Sequence, residues 1–130
     1  MNPSSAIVYC LVSRESNILA QFSHTSGNFT EVAFKLLQNL PEEQGRKSYS
    51  HNDYIFHLNR DGNLIFLCMV NKSFSQARAF AFLADIQEKW YGSYGDKGNT
   101  APTLGMNADF ARTLRTQMVY IHIPTILRNN

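Results

Sequence analysis

The stretch that most constrains the fold runs from Tyr54 to Val70. It reads Tyr-Ile-Phe-His-Leu-Asn-Arg, then Asp61-Gly62, then Asn-Leu-Ile-Phe-Leu-Cys-Met-Val. Aspartate then glycine between two β-rich runs predicts a hairpin, because a type I′ turn needs positive φ at both central residues. A two-residue loop at Asp61-Gly62 sets Arg60 opposite Asn63, Leu58 opposite Ile65, Phe56 opposite Leu67 and Tyr54 opposite Met69. These residues share one face. Ile55, His57, Leu64, Phe66 and Cys68 share the other. Both faces are apolar, so neither can be left in water. Such a hairpin belongs in the middle of an antiparallel sheet with helices over both faces.

The rest of the chain supplies the covers. Ala6 to Val12 is a compact apolar run and reads as a buried strand. Arg14 to Asn17 is a polar turn, and Ile18 to Phe22 a second strand. Asn28 with Glu31 three residues on is a capping-box start. The helix that follows carries Phe29, Val32, Ala33, Leu36, Leu37 and Leu40 in one stripe, with Phe34 on its flank beside Leu37. Pro41 ends it. Arg46 to His51 is polar and weakly alternating, an edge strand. Ser73 with Gln76 predicts a second capping box, opening a mostly apolar helix from Phe74 to Tyr91. Gly92, Gly95 and Gly98 end that helix in a flexible loop. Asn107 to Met118 reads as a last helix, with Phe110, Ala111, Leu114 and Met118 on one face. The order is ββαβββαα, an α+β arrangement with one helix on one face and two on the other. At 130 residues the chain is one domain, placed at residues 1–118 and followed by a tail, residues 119–130.

Few residues suggest chemistry. A net charge of +2 is too small to argue for nucleic acid or for a strong membrane field, and no nucleic-acid partner is expected. Cys10 and Cys68 sit inside strand-like runs without an adjacent base, which fits buried thiols in a reducing compartment. His57, in a central strand, reads as a core histidine with a local hydrogen bond. His24, His51 and His122 are scattered, and no pair has metal-ligand spacing. The segment Gly92 to Gly98 lacks the Gly-Lys-Ser/Thr ending of a phosphate loop and follows a helix rather than a strand. Arg112 and Arg115 form a solvated face, with only a weak contact to acidic lipid headgroups as an alternative. Neither catalytic residues nor a cofactor are expected. No apolar run approaches the ~20 residues of a membrane span. The first residues lack a signal-peptide core, and Asn2 stands where myristoylation needs glycine. The expectation is a chain attached to a membrane only through a segment it does not itself contain.

One family resemblance emerges from these segments. Gly27-Asn28-Phe29-Thr30-Glu31-Val32, Tyr49-Ser50-His51, Tyr54-Ile55-Phe56-His57 and Phe66-Leu67-Cys68-Met69 come in an order and spacing that resemble the longin domain of R-SNAREs. Ala81-Phe82-Leu83, Tyr94-Gly95 and Met106-Asn107-Ala108-Asp109-Phe110 continue it. The likeness is to the long vesicle-associated membrane proteins, the TI-VAMP and plant vacuolar branch, and covers about residues 6–118. It implies the longin (profilin-like) fold, a five-stranded antiparallel sheet of order 2-1-5-4-3. It also implies a regulatory binding module on the cytoplasmic face of endosomal, lysosomal or vacuolar vesicles. The expected partners are the protein's own SNARE motif, in cis, and adaptor or coat-associated trafficking proteins. SNARE partners would be engaged through the full-length protein.

Both kinds of ligand would use an apolar groove between the first helix and the third strand. Here that assigns Phe34, Leu37, Leu40, Lys47, Tyr49 and His51. Lys47 departs from the animal TI-VAMP pattern, where a leucine stands two residues before the tyrosine. Residues 119–130 carry no SNARE heptads. Their apolar, β-branched character leaves two readings: a frayed remnant, or a strand added at the Arg46–His51 edge. The alternative to the SNARE reading is a stand-alone longin-like subunit of a tethering or small-GTPase exchange complex.

Overall fold

The computed structural model describes residues 6–124 and residue 127. Strands β1 (Ile7–Arg14), β2 (Asn17–Ser23), β3 (Gly45–His51), β4 (Tyr54–Asp61) and β5 (Leu64–Asn71) form one antiparallel sheet of order β2-β1-β5-β4-β3. Helix α1 (Phe29–Gln38) follows β2, and α2 (Gln76–Tyr94) and α3 (Asn107–His122) follow β5. The Tyr54–Val70 hairpin supplies two of the three inner strands, as its two greasy faces require.

Each face has its own core. Phe56, Leu58, Ile65, Leu67 and Met69 pack with Phe29, Ala33 and Leu37 of α1. Leu64, Phe66, Cys68 and Val70 pack with Phe82, Leu83, Ile86 and Trp90 of α2 and with Phe110, Leu114 and Met118 of α3. Cys10 and Cys68 face each other across β1 and β5 as free, buried thiols, and burial pushes both well above the ordinary thiol range. Arg60 is buried at the end of β4, and its guanidinium donates to both oxygens of Glu15 at 3.0 and 3.2 Å.

The hairpin turn differs from the sequence expectation. Asp61 pairs with Leu64, so the two loop residues are Gly62 and Asn63 rather than Asp61 and Gly62. Leu58 therefore faces Leu67, and Phe56 faces Met69. Gly62 has φ 64, and Asn63 is not among the residues of positive φ. Glycine at the first central position alone is the type II′ pattern. The register moves by two residues, and because side chains alternate with period two every residue keeps its face.

The helix ends differ as well. Asn28 caps α1 by position, but its side chain makes no capping hydrogen bond. Ser75, not Ser73, caps α2 and accepts from the backbone N–H of Arg78, so Phe74 is buried ahead of the helix rather than within it. Helix α2 continues through Gly92 to Tyr94, and Gly95–Asn99 is a 3₁₀ turn rather than a loose loop. Gly98 in that turn is buried against Trp90. A Cβ there would lie 3.0 Å from the indole ring, so a larger residue would make Trp90 shift by a few tenths of an ångström.

Helix α3 runs four residues past Met118, the expected end of the last helix. Ile121 is buried in line with Phe110, Leu114 and Met118, and Val119–His122 are helical rather than an added strand. The rest of the expected tail strand, residues 125, 126 and 128–130, lies outside the described residues. His122 closes the helix: its Nε2 accepts the backbone N–H of Ile7 at 3.0 Å.

These contacts predict a pH dependence of stability. Burial holds His57 below the ordinary value of 6.5. Burial, then the nearby His24 and Arg78, does the same for His122. The folded chain thus binds these protons less readily than the unfolded chain. Their contribution to stability is complete above pH 6.5 and is lost as the pH falls below it toward the lowered folded values. Melting curves from pH 8 to pH 5 should show Tm declining once the pH passes below about 6.5, and the decline should flatten in the double variant His57→Gln, His122→Gln. An unchanged profile in that variant assigns the loss to other groups.

Candidate partner-binding site

The two sheet edges are unlike. On the β2 edge, the backbone N–H groups of Leu104 and Met106 donate to the carbonyls of Ile18 and Leu19 at 2.7 and 3.2 Å. The Asn107 side chain accepts the N–H of Gln21 at 2.9 Å. The segment before α3 therefore closes that edge. On the other side β3 pairs with β4 alone, and among the described residues no other strand lies beside it. An open edge strand is a template for an added strand.

Along that edge, on the α1 side of the sheet, lies a cleft of about 350 Å³. Its helix wall is Val32, Lys35, Leu36 and Asn39, at the spacing of one helix face. Its strand wall is Tyr49, Ser50 and His51, and Phe56 of β4 also lines it. Val32, Leu36 and Tyr49 are half-buried against the α1-side core, and Phe56 is fully buried within it. His51 is exposed, with its ring 6.2 Å from that of Phe56. The floor is apolar and the rim, Lys35, Asn39 and His51, is polar. Such a cleft suits one or two apolar side chains of an extended or helical segment.

The six residues assigned from the sequence separate in space. Tyr49 and His51 line the cleft. Leu37 is 5% exposed and belongs to the core under α1. Leu40 is half-buried against the same core. Phe34 is exposed, but it stands two residues from Val32, about 200° around the helix, and does not line the cleft. Lys47 bonds Glu43 at 2.6 Å, and the pairing raises the lysine pKa and lowers that of the carboxyl. Its charge is thus partly answered within the chain. Val32, Lys35, Leu36 and Asn39 were not singled out as site residues. The available signal was the width of the α1 stripe: Phe29, Ala33 and Leu37 fill the row against the sheet, which leaves Val32 and Leu36 a second row with another use.

His57 shares a 2.6 Å hydrogen bond with Ser48 through Nδ1. Arg112 and Arg115 are exposed on α3. Among the described residues no group of three or more His, Cys, Asp or Glu could hold a metal ion, and no helix is long and apolar enough to cross a membrane.

Comparison with known proteins agrees with the fold. The family model described as Longin, a regulated-SNARE-like domain, matches residues 19–114. The chain is 41% identical over 112 residues to vesicle-associated membrane protein 7B of Dictyostelium discoideum, covering 86% of this chain and 43% of that protein. It is 38% identical over 117 residues to vesicle-associated membrane protein 714 of Arabidopsis thaliana, covering 88% of this chain and 53% of the relative. With vesicle-associated membrane protein 7 of Homo sapiens the identity is 34% over 113 residues, 87% of this chain and 51% of the human protein. The chain thus spans about half the length of the curated relatives it matches. Among solved structures, one titled as the mammalian SRP receptor superposes with a TM-score of 0.53 at 14% identity, covering 90% of this chain and 95% of that one, a likeness of fold alone. With the family model spanning most of the sheet and the helices on both its faces, this chain belongs to the longin domain family, in the group resembling the long vesicle-associated membrane proteins.

Proposed function

We propose that this chain is the regulatory longin domain of a vesicle R-SNARE, a binding module rather than an enzyme. It would hold either its own SNARE motif or a trafficking adaptor and so control fusion and sorting. The observation that carries this is the apolar cleft beside an open edge strand, on a longin fold. The mechanism is differential binding. Two segments that compete for one cleft shift the protein between a state with its SNARE motif held back and a state with that motif free. The site of action would be the cytoplasmic face of endosomal, lysosomal or vacuolar vesicles, which the names of the relatives support only as vesicle association. The membrane would be reached through a segment outside this chain.

The test is a binding assay with peptides from the SNARE motif of the full-length protein and from candidate adaptors. Tyr49→Ser should weaken both by about tenfold or more, since a half-exposed tyrosine that a bound segment covers is a frequent hot spot. Circular dichroism and melting confirm that the variant folds. Unchanged affinity for both peptides counts against the cleft. Separately, coding sequence beyond residue 130 should carry a heptad-patterned stretch with a central arginine, followed by a membrane span. An open reading frame without them favours the tethering or exchange subunit instead.

A further inference from the structure

Strand β3 presents two faces to any strand added at its edge. Lys47 and Tyr49 point to the α1 side, and Arg46 and Ser48 to the α2 side, because side chains alternate. Ser48 is tied to His57. Arg46 is exposed, and its guanidinium lies 5.0 Å over the ring of Phe80 on α2. Beside it is a hollow of about 450 Å³ lined by Arg46, Gln76, Ala77, Phe80 and Ala81. The first turn of α2 carries no acidic residue. Neither ion pair found among the described residues includes Arg46. The adjacent Lys47, by contrast, is paired with Glu43. Of two neighbouring cations on the open edge, one is answered within the chain and the other faces an open hollow.

We propose that the hollow at Arg46 and Phe80 is a second subsite of the docking edge, taking a carboxylate from an extended, acidic segment of the bound partner. This rests on the reading of β3 as the docking strand. The geometry fixes the spacing. A residue opposite Tyr49 in an added strand faces the α1-side cleft, and one opposite Arg46 faces the α2-side hollow. These positions are three residues apart, about 10 Å, whichever way the added strand runs. The partner therefore carries an apolar residue and an acidic residue separated by three. An even separation puts both on one face and leaves Arg46 unanswered.

The test uses two β-prone peptides of identical composition, one with leucine and glutamate separated by three residues and one by four. Fluorescence anisotropy gives the affinity, and the backbone amide resonances of residues 45–51 report the place of binding. The three-spaced peptide should bind roughly fivefold more tightly, the size expected of one partly exposed, charge-assisted pair. Arg46→Gln should equalise the two. Arg46→Glu should transfer the preference to a three-spaced lysine peptide. Arg46 is exposed, so both variants should fold. Equal affinity of the two peptides in the unmodified chain, with both weakened by Tyr49→Ser, overturns the Arg46 subsite and leaves the cleft standing. Silence of the 45–51 amides toward both peptides overturns the subsite and the docking strand together. Amide shifts that grow with protein concentration in the absence of peptide would make a second copy the occupant and overturn the acidic partner.

Discussion

Truncating Phe66 to alanine should lower the unfolding free energy by about 3–5 kcal/mol, the range for removing a buried aromatic ring from a packed core. Phe66 is fully buried in the middle of β5, the central strand of the sheet, opposite Val12 on β1 and Asn59 on β4. Its ring meets Trp90 edge-on at 6.5 Å and Tyr91 at 6.0 Å. The alanine variant loses the transfer free energy of the ring and leaves a cavity that inner strands cannot collapse to fill. Denaturant titration should show a lower midpoint with an unchanged slope. A loss below about 1 kcal/mol would mean that α2 does not press on this ring in solution.

Leu37→Ala should cost about 2–5 kcal/mol of stability while leaving peptide affinity per folded molecule within about twofold. The sequence reading placed Leu37 in the groove, but the fold places it beneath α1 with Phe29 and Ala33. Tyr49→Ser should do the reverse, losing more in binding than in folding. Measuring stability and affinity on both variants gives a crossed pattern. If Leu37→Ala instead weakens binding about tenfold at full occupancy of the folded state, the core and the cleft are one cooperative surface and the separation drawn here fails.

The parts of the fold written in period-two and period-3.6 patterns were legible. The two-faced hairpin, the strand order implied by the family resemblance, and the split of one helix against two all stand. What local pattern left undetermined was settled by partners far along the chain. Asp-Gly and Gly-Asn are both good turn pairs. Asp61 stays in the ladder, where its carboxylate accepts the Tyr91 hydroxyl at 2.8 Å. The sequence reading ends α3 at Met118 and gives Val119–Ile123 to the tail. Ile121 instead extends the buried row, and His122 binds Ile7, 115 residues earlier. Of the candidate cleft, the places of Tyr49 and His51 were legible because a strand shows which face each residue takes. The helix wall was not, because a stripe of six apolar residues does not say which row meets the sheet and which is left for a guest.

The asymmetry of the sheet edges also bears on self-association. A sheet open at both edges can recruit copies without end, as in cross-β fibres. Here the segment ahead of α3 occupies the β2 side, so among the described residues β3 alone offers an edge that can recruit. Two copies joined strand to strand at β3 would present β2 on both outer flanks, already closed by Leu104, Met106 and Asn107. Growth by strand pairing therefore stops at two, and the open β3 edge does not seed a filament.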